Sequence, residues 1–386
     1  MTFPKFSFGL DWKELRKFEK LDGNKSAIVF YAENKASMNH FKSLIFELTE
    51  KLNLNICLIT SVKDDPILTK KSDKIKSFYI GDGTIRTKFF LTLKAKILIM
   101  DMPDLETFHI KRSKVFPVHY IYLFHSVFSI HSYLRKGAID NYDTIFCVGP
   151  HHVNEIKETE KIYQLKSKTL VEYGFGRLDT LLKEKKAFGE NKKTKNLIII
   201  CPSYASNNLI EICGQELIRI LLKSNFKVML RPHFKILKES EKLIQSIKEE
   251  FLENPNFTLE TGVIQPELFH SSLCMISDWS GISFEYAFTF ERPVIFIDVP
   301  KKILNPNSDD ISLEPIEISI RNKIGHVVSP KDLEKIPSLI SSIYDDDKNK
   351  EDIIKIRTDT VYNIGNSSAI GAEYIQKLKE KIKLKK

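Results

Sequence analysis

Short runs of consecutive apolar residues alternate along this chain with longer amphipathic stretches. In the first half, Ser26–Tyr31, Asn55–Thr60, Ser77–Ile80, Ile97–Met100, His119–Phe124 and Thr144–Val148 read as strands. In the second, Asn196–Cys201, Phe226–Leu230, Phe257–Leu259, Leu273–Ser277 and Pro293–Ile297 do. Most are apolar at nearly every position rather than at alternate ones, the pattern of parallel strands covered on both faces. Helices are predicted between them, among others over Met38–Leu52, Ile210–Ser224, Glu239–Glu253 and Ile282–Phe290. Strand and helix in alternation predict an α/β architecture with parallel sheets. A polar, Lys-rich stretch, Lys183–Lys195, interrupts the pattern. The expected organisation is one domain over residues 1–188, a second over 189–350 and a basic helical tail over 351–386. Open parallel sheets gather ligands at the carboxyl ends of their strands, so the two domains are expected to face each other across a cleft.

Composition narrows the class. With 386 residues, 42% hydrophobic and 28% charged, the chain can build a core without disulfides or metals and is neither disordered nor fibrous. Its five cysteines are scattered and odd in number, and four of them sit in apolar runs, which reads as reduced, buried thiols in a cytosolic protein. The first residues lack the apolar run of a signal peptide, and no stretch approaches the roughly 20 apolar residues of a spanning helix. The net charge of +9 is concentrated in Ile375–Lys386, which holds six lysines and one glutamate. Ile375, Leu378 and Ile382 recur there at helical spacing. Such a tail is either a helix packed on the body with a solvated lysine face, or a contact for an anionic membrane surface, which would place the protein peripherally at the inner face of the cell membrane. With the lysines dispersed elsewhere and no aromatic nucleic-acid motif, no nucleic-acid partner is expected.

The chemistry-bearing residues cluster after strands. His125 and His131 lie in FHSVFSIHSYLRKG, directly after the run HYIYLF. A histidine at a strand end faces the cleft and can accept a proton near neutral pH, which makes His125 and then His131 the candidate bases. His151 and His152 follow a Gly-Pro turn and either line the cleft or face solvent. In the second domain, Arg231 and His233 flank a proline after FKVML, where guanidinium and imidazole donors suit phosphate oxygens. The run LCMIS leads into Asp278, Trp279, Ser280 and Gly281 and then a helix, with Ser280 as the expected cap and its amides as an anion site. Glu285, one turn on, is placed to reach a ribose hydroxyl or a neighbouring loop. Ser203, Ser206 and Asn207 offer small polar groups in a further strand-end loop. No phosphate-binding GxxxxGK[ST] occurs and no GxGxxG follows a strand, so the nucleotide is not held as in kinases or dehydrogenases.

At these residues the chain resembles the CDP-glycerol glycerophosphotransferase family of teichoic-acid and capsule polymerases. The resemblance runs from about Ile97 to Asp298. It rests on FHS at Phe124–Ser126, GFGRLD at Gly174–Asp179, IIICPSY at Ile198–Tyr204, RPH at Arg231–His233, DWSG at Asp278–Gly281 and RPVIF at Arg292–Phe296, with an echo in NIGNSSA at Asn363–Ala369. Where the family commonly has W-H-G and D-Y-S-S, this chain has Phe124-His125-Ser126 and Asp278-Trp279-Ser280-Gly281. The resemblance implies a GT-B fold, two facing Rossmann-like domains. It implies transfer of glycerol phosphate from CDP-glycerol to a hydroxyl of a polysaccharide, teichoic-acid-like or lipid-linked acceptor, with release of CMP. His125 would then be the base. Arg231, His233 and the amides at Ser280–Gly281 would balance the donor phosphates, with no cofactor and no tightly bound metal. A GT-B glycosyltransferase or epimerase acting on a nucleotide sugar, and a non-catalytic protein bound at a membrane surface, are the alternatives.

Overall fold

A computed structural model of the chain describes residues 9–70, 72–189, 196–204, 206–262, 266–343 and 347–382. The first sheet comprises β1 (Ile28–Ala32), β2 (Ile56–Thr60), β3 (Ile75–Tyr79), β4 (Ile97–Met100), β5 (His119–Leu123), β6 (Thr144–Cys147) and β7 (Thr169–Glu172). Among the described residues it is a seven-stranded sheet in the order β3-β2-β1-β4-β5-β6-β7. The second comprises β8 (Leu197–Cys201), β9 (Lys227–Leu230), β10 (Phe257–Leu259), β11 (Cys274–Ser277), β12 (Val294–Ile297) and β13 (Gly325–Val328). Its order, β10-β9-β8-β11-β12-β13, repeats the first. All the pairings are parallel.

Every apolar run read as a strand is one. The sequence pattern missed β7 and β13, and both are sheet edges. TLVE is partly exposed at every position and GHVV at all but the last, so neither carries the doubly covered signature. The helix expected over Met38–Leu52 is helical as Ser37–Phe46 and widens to a π-turn over Glu47–Lys51. The core of the second sheet includes Ile198, Ile200, Leu217, Leu221 and Ile276, all wholly or nearly wholly buried. A larger apolar cluster is continuous between the domains, joining Leu98, Tyr120 and Leu178 of the first to Phe284 and Phe288 of the second. All five cysteines are buried and unbonded, and burial pushes the Cys201 and Cys274 thiols up to about 12.

The Lys-rich stretch read as the boundary lies between the two sheets; its residues 190–195 fall outside the described ones. The tail is not one body. Helix Asp347–Thr360 belongs with the second domain, where Arg357 donates to the Phe288 carbonyl and pairs with Glu291 at 3.1 Å. The chain then crosses back, and helix Ser367–Lys381 lies on the first domain. The crossing joins two of the quoted motifs. Asp179 of GFGRLD accepts the amides of Gly365 (2.6 Å) and Ser367 (2.9 Å) of NIGNSSA. Gly174 sits at φ +100°, and a Cβ there would come 2.2 Å from the Tyr362 carbonyl oxygen. Only glycine satisfies both the dihedral and the approach.

This placement accounts for the apolar stripe of the tail by packing. Ile375 is fully buried in the cluster of Phe30, Phe41 and Phe146, with Leu378 and Ile382 packed against it. The apolar stripe is covered by the first domain and is not available to insert into lipid. Lys377 and Lys381 are exposed, as a solvated face requires, and residues 383–386 lie outside the described ones. No helix among the described residues is long and apolar enough to cross a membrane.

Candidate active site

Each sheet changes direction beside its first strand, between β1 and β4 and between β8 and β11. Crevices open at such points outside the carboxyl strand ends. Here the two crevices confront each other. A Cβ built on Gly281 would lie 3.3 Å from Ser126 Oγ of the opposite domain. The rings of Phe128 and Phe284 meet at 5.0 Å, and Arg177 pairs with Glu285 at 3.5 Å.

His125 leaves β5 two residues past its end and stands half-buried at this junction. Its Nδ1 is 3.3 Å from the Asp101 carbonyl oxygen and its Nε2 is 3.2 Å from the Tyr133 hydroxyl. Burial lowers its pKa below the ordinary histidine value, against the bond to Asp101. The imidazole is therefore neutral near pH 7 and able to accept a proton.

The remaining histidines of this region hold the loop rather than line the cleft. His131 is buried, paired to Glu155 at 3.1 Å and bonded through Nε2 to the Leu313 carbonyl at 2.9 Å. Burial alone would lower its pKa, but Glu155 and that carbonyl outweigh it and the net shift is upward. His131, read as a second base, thus turns Nδ1 toward Glu155 and Nε2 toward the Leu313 carbonyl, into the protein rather than the cleft. His151 donates to the Val127 carbonyl (2.8 Å) and His152 to the Phe128 carbonyl (2.9 Å). Burial, with His151 alongside, drops His152 to about 3, so it works as a neutral brace. Glu155 accepts the Ile130 amide at 2.5 Å. The second domain supplies Glu317, buried, which accepts the Ser129 amide (3.0 Å) and the Ser132 hydroxyl.

In the second domain the cations converge. Arg231 follows β9, and its Nε is buried with no hydrogen-bond partner among the described residues. His233 accepts the Lys235 amide on Nδ1 at 3.2 Å, which leaves the ring proton on Nε2, a donor suited to phosphate. Burial, then Lys302, Arg231 and Lys235, lower it to about 4. Lys302 stands 3.5 Å and Lys235 4.4 Å from the centroid of the Tyr204 ring. Burial brings Lys302 down to about 8, with Lys235 adding to the effect and the carboxylate of Asp278 opposing it. Such a cluster is short of negative charge, an environment that suits an anionic ligand.

The DWSG turn divides by direction. Asp278 is buried and accepts the amides of Ser203 (2.7 Å) and Leu209 (3.0 Å). These bonds tie the loop after β8 to β11, so the Asp278 carboxylate and the Ser203 amide, both read as nucleotide contacts, are engaged within the protein. Trp279 is buried too, its indole donating to the Val299 carbonyl at 3.1 Å. Ser280 and Gly281 stand at the cleft. Gly281 rather than Ser280 occupies the cap position of helix Ile282–Phe290, and no side chain caps it. The Ser283 and Phe284 amides close on the carbonyls of Ser280 and Gly281, while those of Gly281 and Ile282 have no partner among the described residues, which suits an anion. Glu285 points at Arg177, whose charge opposes the upward push of burial on its carboxyl. Ser206 and Asn207 stand exposed at the tip of their loop, and Asn208 caps the next helix through the amides of Ile210 and Glu211.

Sequence reasoning missed Tyr133, Tyr204, Lys302 and His40. His40, on helix Ser37–Phe46, has its ring 6.0 Å from that of His125 and is lowered to about 3 by burial, then by His125 and Arg177. Tyr204 and Lys302 each follow a strand, β8 and β12, and that position was the signal available for them.

No curated protein matches the sequence. Among solved structures, a histidine-to-alanine variant of the wall teichoic acid polymerase TagF superposes with a TM-score of 0.61 at 14% identity, over 97% of this chain and 95% of that one. The UDP-GlcNAc 2-epimerase of Methanocaldococcus jannaschii, in complex with UDP-GlcNAc and UDP, gives 0.59 at 13% identity, over 91% and 99%. A putative UDP-N-acetylglucosamine 2-epimerase from Listeria monocytogenes gives 0.59 at 11%, over 93% and 98%. At these identities the likeness is one of fold, and the fold is GT-B. The sequence itself matches a family description, CDP-Glycerol:Poly(glycerophosphate) glycerophosphotransferase, over residues 15–302, which span both sheets up to the end of β12 and Lys302. With the paired crevices, the neutral histidine on one side and the cations on the other, the chain belongs to the CDP-glycerol glycerophosphotransferase family and is a transferase.

Proposed function

We propose that the protein transfers glycerol phosphate from CDP-glycerol to a hydroxyl of a teichoic-acid-like surface polymer or its lipid-linked precursor, releasing CMP. The observation that carries this reading is the division of the cleft: a neutral, half-buried His125 on the first domain faces Arg231, His233, Lys235 and Lys302 on the second. The acceptor oxygen attacks the phosphorus that bears glycerol. Its proton passes toward His125, and the bond from that phosphorus to the bridging oxygen breaks. The electron pair leaves on CMP, whose added charge falls among the cations of the second domain. Positioned cations and the uncapped helix start balance this charge from the protein's own groups, so the reaction is proposed to proceed without a tightly bound metal.

The test is turnover of CDP-glycerol with a glycerophosphate oligomer as acceptor. Wild type is expected to release CMP, and His125→Ala to lower kcat by about 10²–10⁴-fold with donor affinity nearly unchanged. Release of CDP or UDP from a nucleotide sugar, with none of CMP from CDP-glycerol, would instead assign a glycosyltransferase.

A further inference from the structure

The hydroxyl of Tyr133 occupies the position where a base on His125 must receive its proton. The Asp101 carbonyl can only accept, so the contact at 3.3 Å fixes the proton of His125 on Nδ1 and leaves the lone pair on Nε2. That lone pair meets the Tyr133 hydroxyl at 3.2 Å, which therefore donates to it. The Tyr204 side chain, from the opposite domain, stands close enough to the Tyr133 hydroxyl for each phenol to perturb the other. Tyr204 in turn packs its ring 4.7 Å from that of His233 and under Lys302. Tyr133 is not on a loose loop. The short helix Ile130–Tyr133 is pinned from the second domain by Asn305, which donates to the His131 carbonyl at 2.8 Å, and by Glu317 on Ser132. An acceptor hydroxyl thus meets the tyrosine before it meets the imidazole.

We propose that Tyr133 relays the acceptor's proton to His125, and that Tyr204, reaching from the cation-bearing domain, holds the relay in line. This rests on His125 being the base. In the step, the acceptor O–H bond breaks as its proton passes to the Tyr133 oxygen, while the proton of Tyr133 passes to His125 Nε2. The acceptor oxygen bonds to phosphorus and CMP departs with the electron pair. Tyr133 ends neutral. No phenolate accumulates, in keeping with burial holding its pKa well above the ordinary tyrosine value. Tyr133 is then a catalytic residue in contact with the acceptor, and Tyr204 a positioning residue. The arrangement assembles the proton path only when the two domains face each other, which ties deprotonation of the acceptor to the domain that holds the donor.

The experiment measures single-turnover rates of the full chain with CDP-glycerol and a glycerophosphate oligomer. Tyr133→Phe is expected to lower the rate about 10²–10³-fold, with the donor Kd from calorimetry within about twofold. The fall in rate toward acid pH that marks His125 disappears in that variant. Tyr204→Phe lowers the rate about tenfold and keeps the acid fall. The double variant His125→Ala/Tyr133→Phe is no slower than His125→Ala alone, because both act on one path. In wild type, the rate curves with the deuterium fraction of the solvent, since two protons move together. A Tyr133→Phe rate within threefold of wild type, beside an inactive His125→Ala, overturns the relay and leaves the base intact. Where Tyr133→Phe does not fold, a linear deuterium dependence in wild type overturns it. Full activity in His125→Ala overturns the base reading beneath it.

Discussion

His125 and Lys302 stand on opposite sides of the cleft, and the signs of their shifts predict a pH range for the proposed reaction. As the proposed base, His125 must be unprotonated, and burial has moved its pKa below the usual 6.5. kcat/KM is therefore expected to stay level as pH falls through 6.5 and to drop only below it. Lys302 is cationic below about 8 and loses its charge above that value. Donor affinity is expected to weaken as pH rises through 8, up to roughly 10–100-fold once the charge-assisted contact is gone. Calorimetric Kd values for CDP-glycerol across pH 6–10 measure this. Lys302→Met should bind weakly at every pH and show no alkaline loss; an unchanged alkaline loss would remove Lys302 from the donor site. Of these two groups only the histidine was legible in the sequence. A histidine after an apolar strand announces itself, whereas a lysine in a chain of 59 basic residues does not, and its neighbours Tyr204 and Tyr133 come from distant segments.

At the level of elements, pattern served best where burial is two-sided. β1, β4, β8 and β11 are apolar at every buried position, or nearly so, and were read with their bounds almost right. The last helix shows the opposite case. Its stripe of Ile375, Leu378 and Ile382 was visible, but a stripe does not say what covers it. The structure seats it on the first domain, where it completes the core around Phe30 and Phe41. Ile375→Ala is expected to cost about 2–5 kcal/mol of stability by opening a cavity beside Phe30 and Phe41. Urea denaturation followed by circular dichroism checks this. Truncation after Tyr374 removes the same anchor and the carbonyl of Lys379 that Lys96 holds at 2.8 Å. Its effect is likewise a loss of folded protein. A truncated chain as stable as the full one would return the helix to a free, membrane-seeking role.

For the whole molecule, the junction of the domains is where function is assembled. Glu317 reaches out of the second domain to hold the loop that carries His125, and Arg177 reaches back to Glu285. Glu317→Ala leaves the buried Ser129 amide without its acceptor, at a cost of about 1–3 kcal/mol. It is expected to lower Tm and kcat together while CDP-glycerol still binds, because the cations proposed to hold the donor lie elsewhere. Unchanged kcat in a destabilised variant would confine Glu317 to stability. The sequence by itself determined the α/β class, the strands covered on both faces, the place of the Lys-rich break and the motifs of the family, because these are local: apolar runs, turn residues and spacings within one segment. Only the tertiary structure decided which histidine faces the cleft. His125 and His131 are six residues apart in one apolar setting, and the choice between them rests on Glu155 and Leu313, which come from far along the chain. The same holds for Asp278, turned inward by two amides, and for the lysine and tyrosines that meet at the junction. Long-range contacts between domains are set by packing, and no single segment records them.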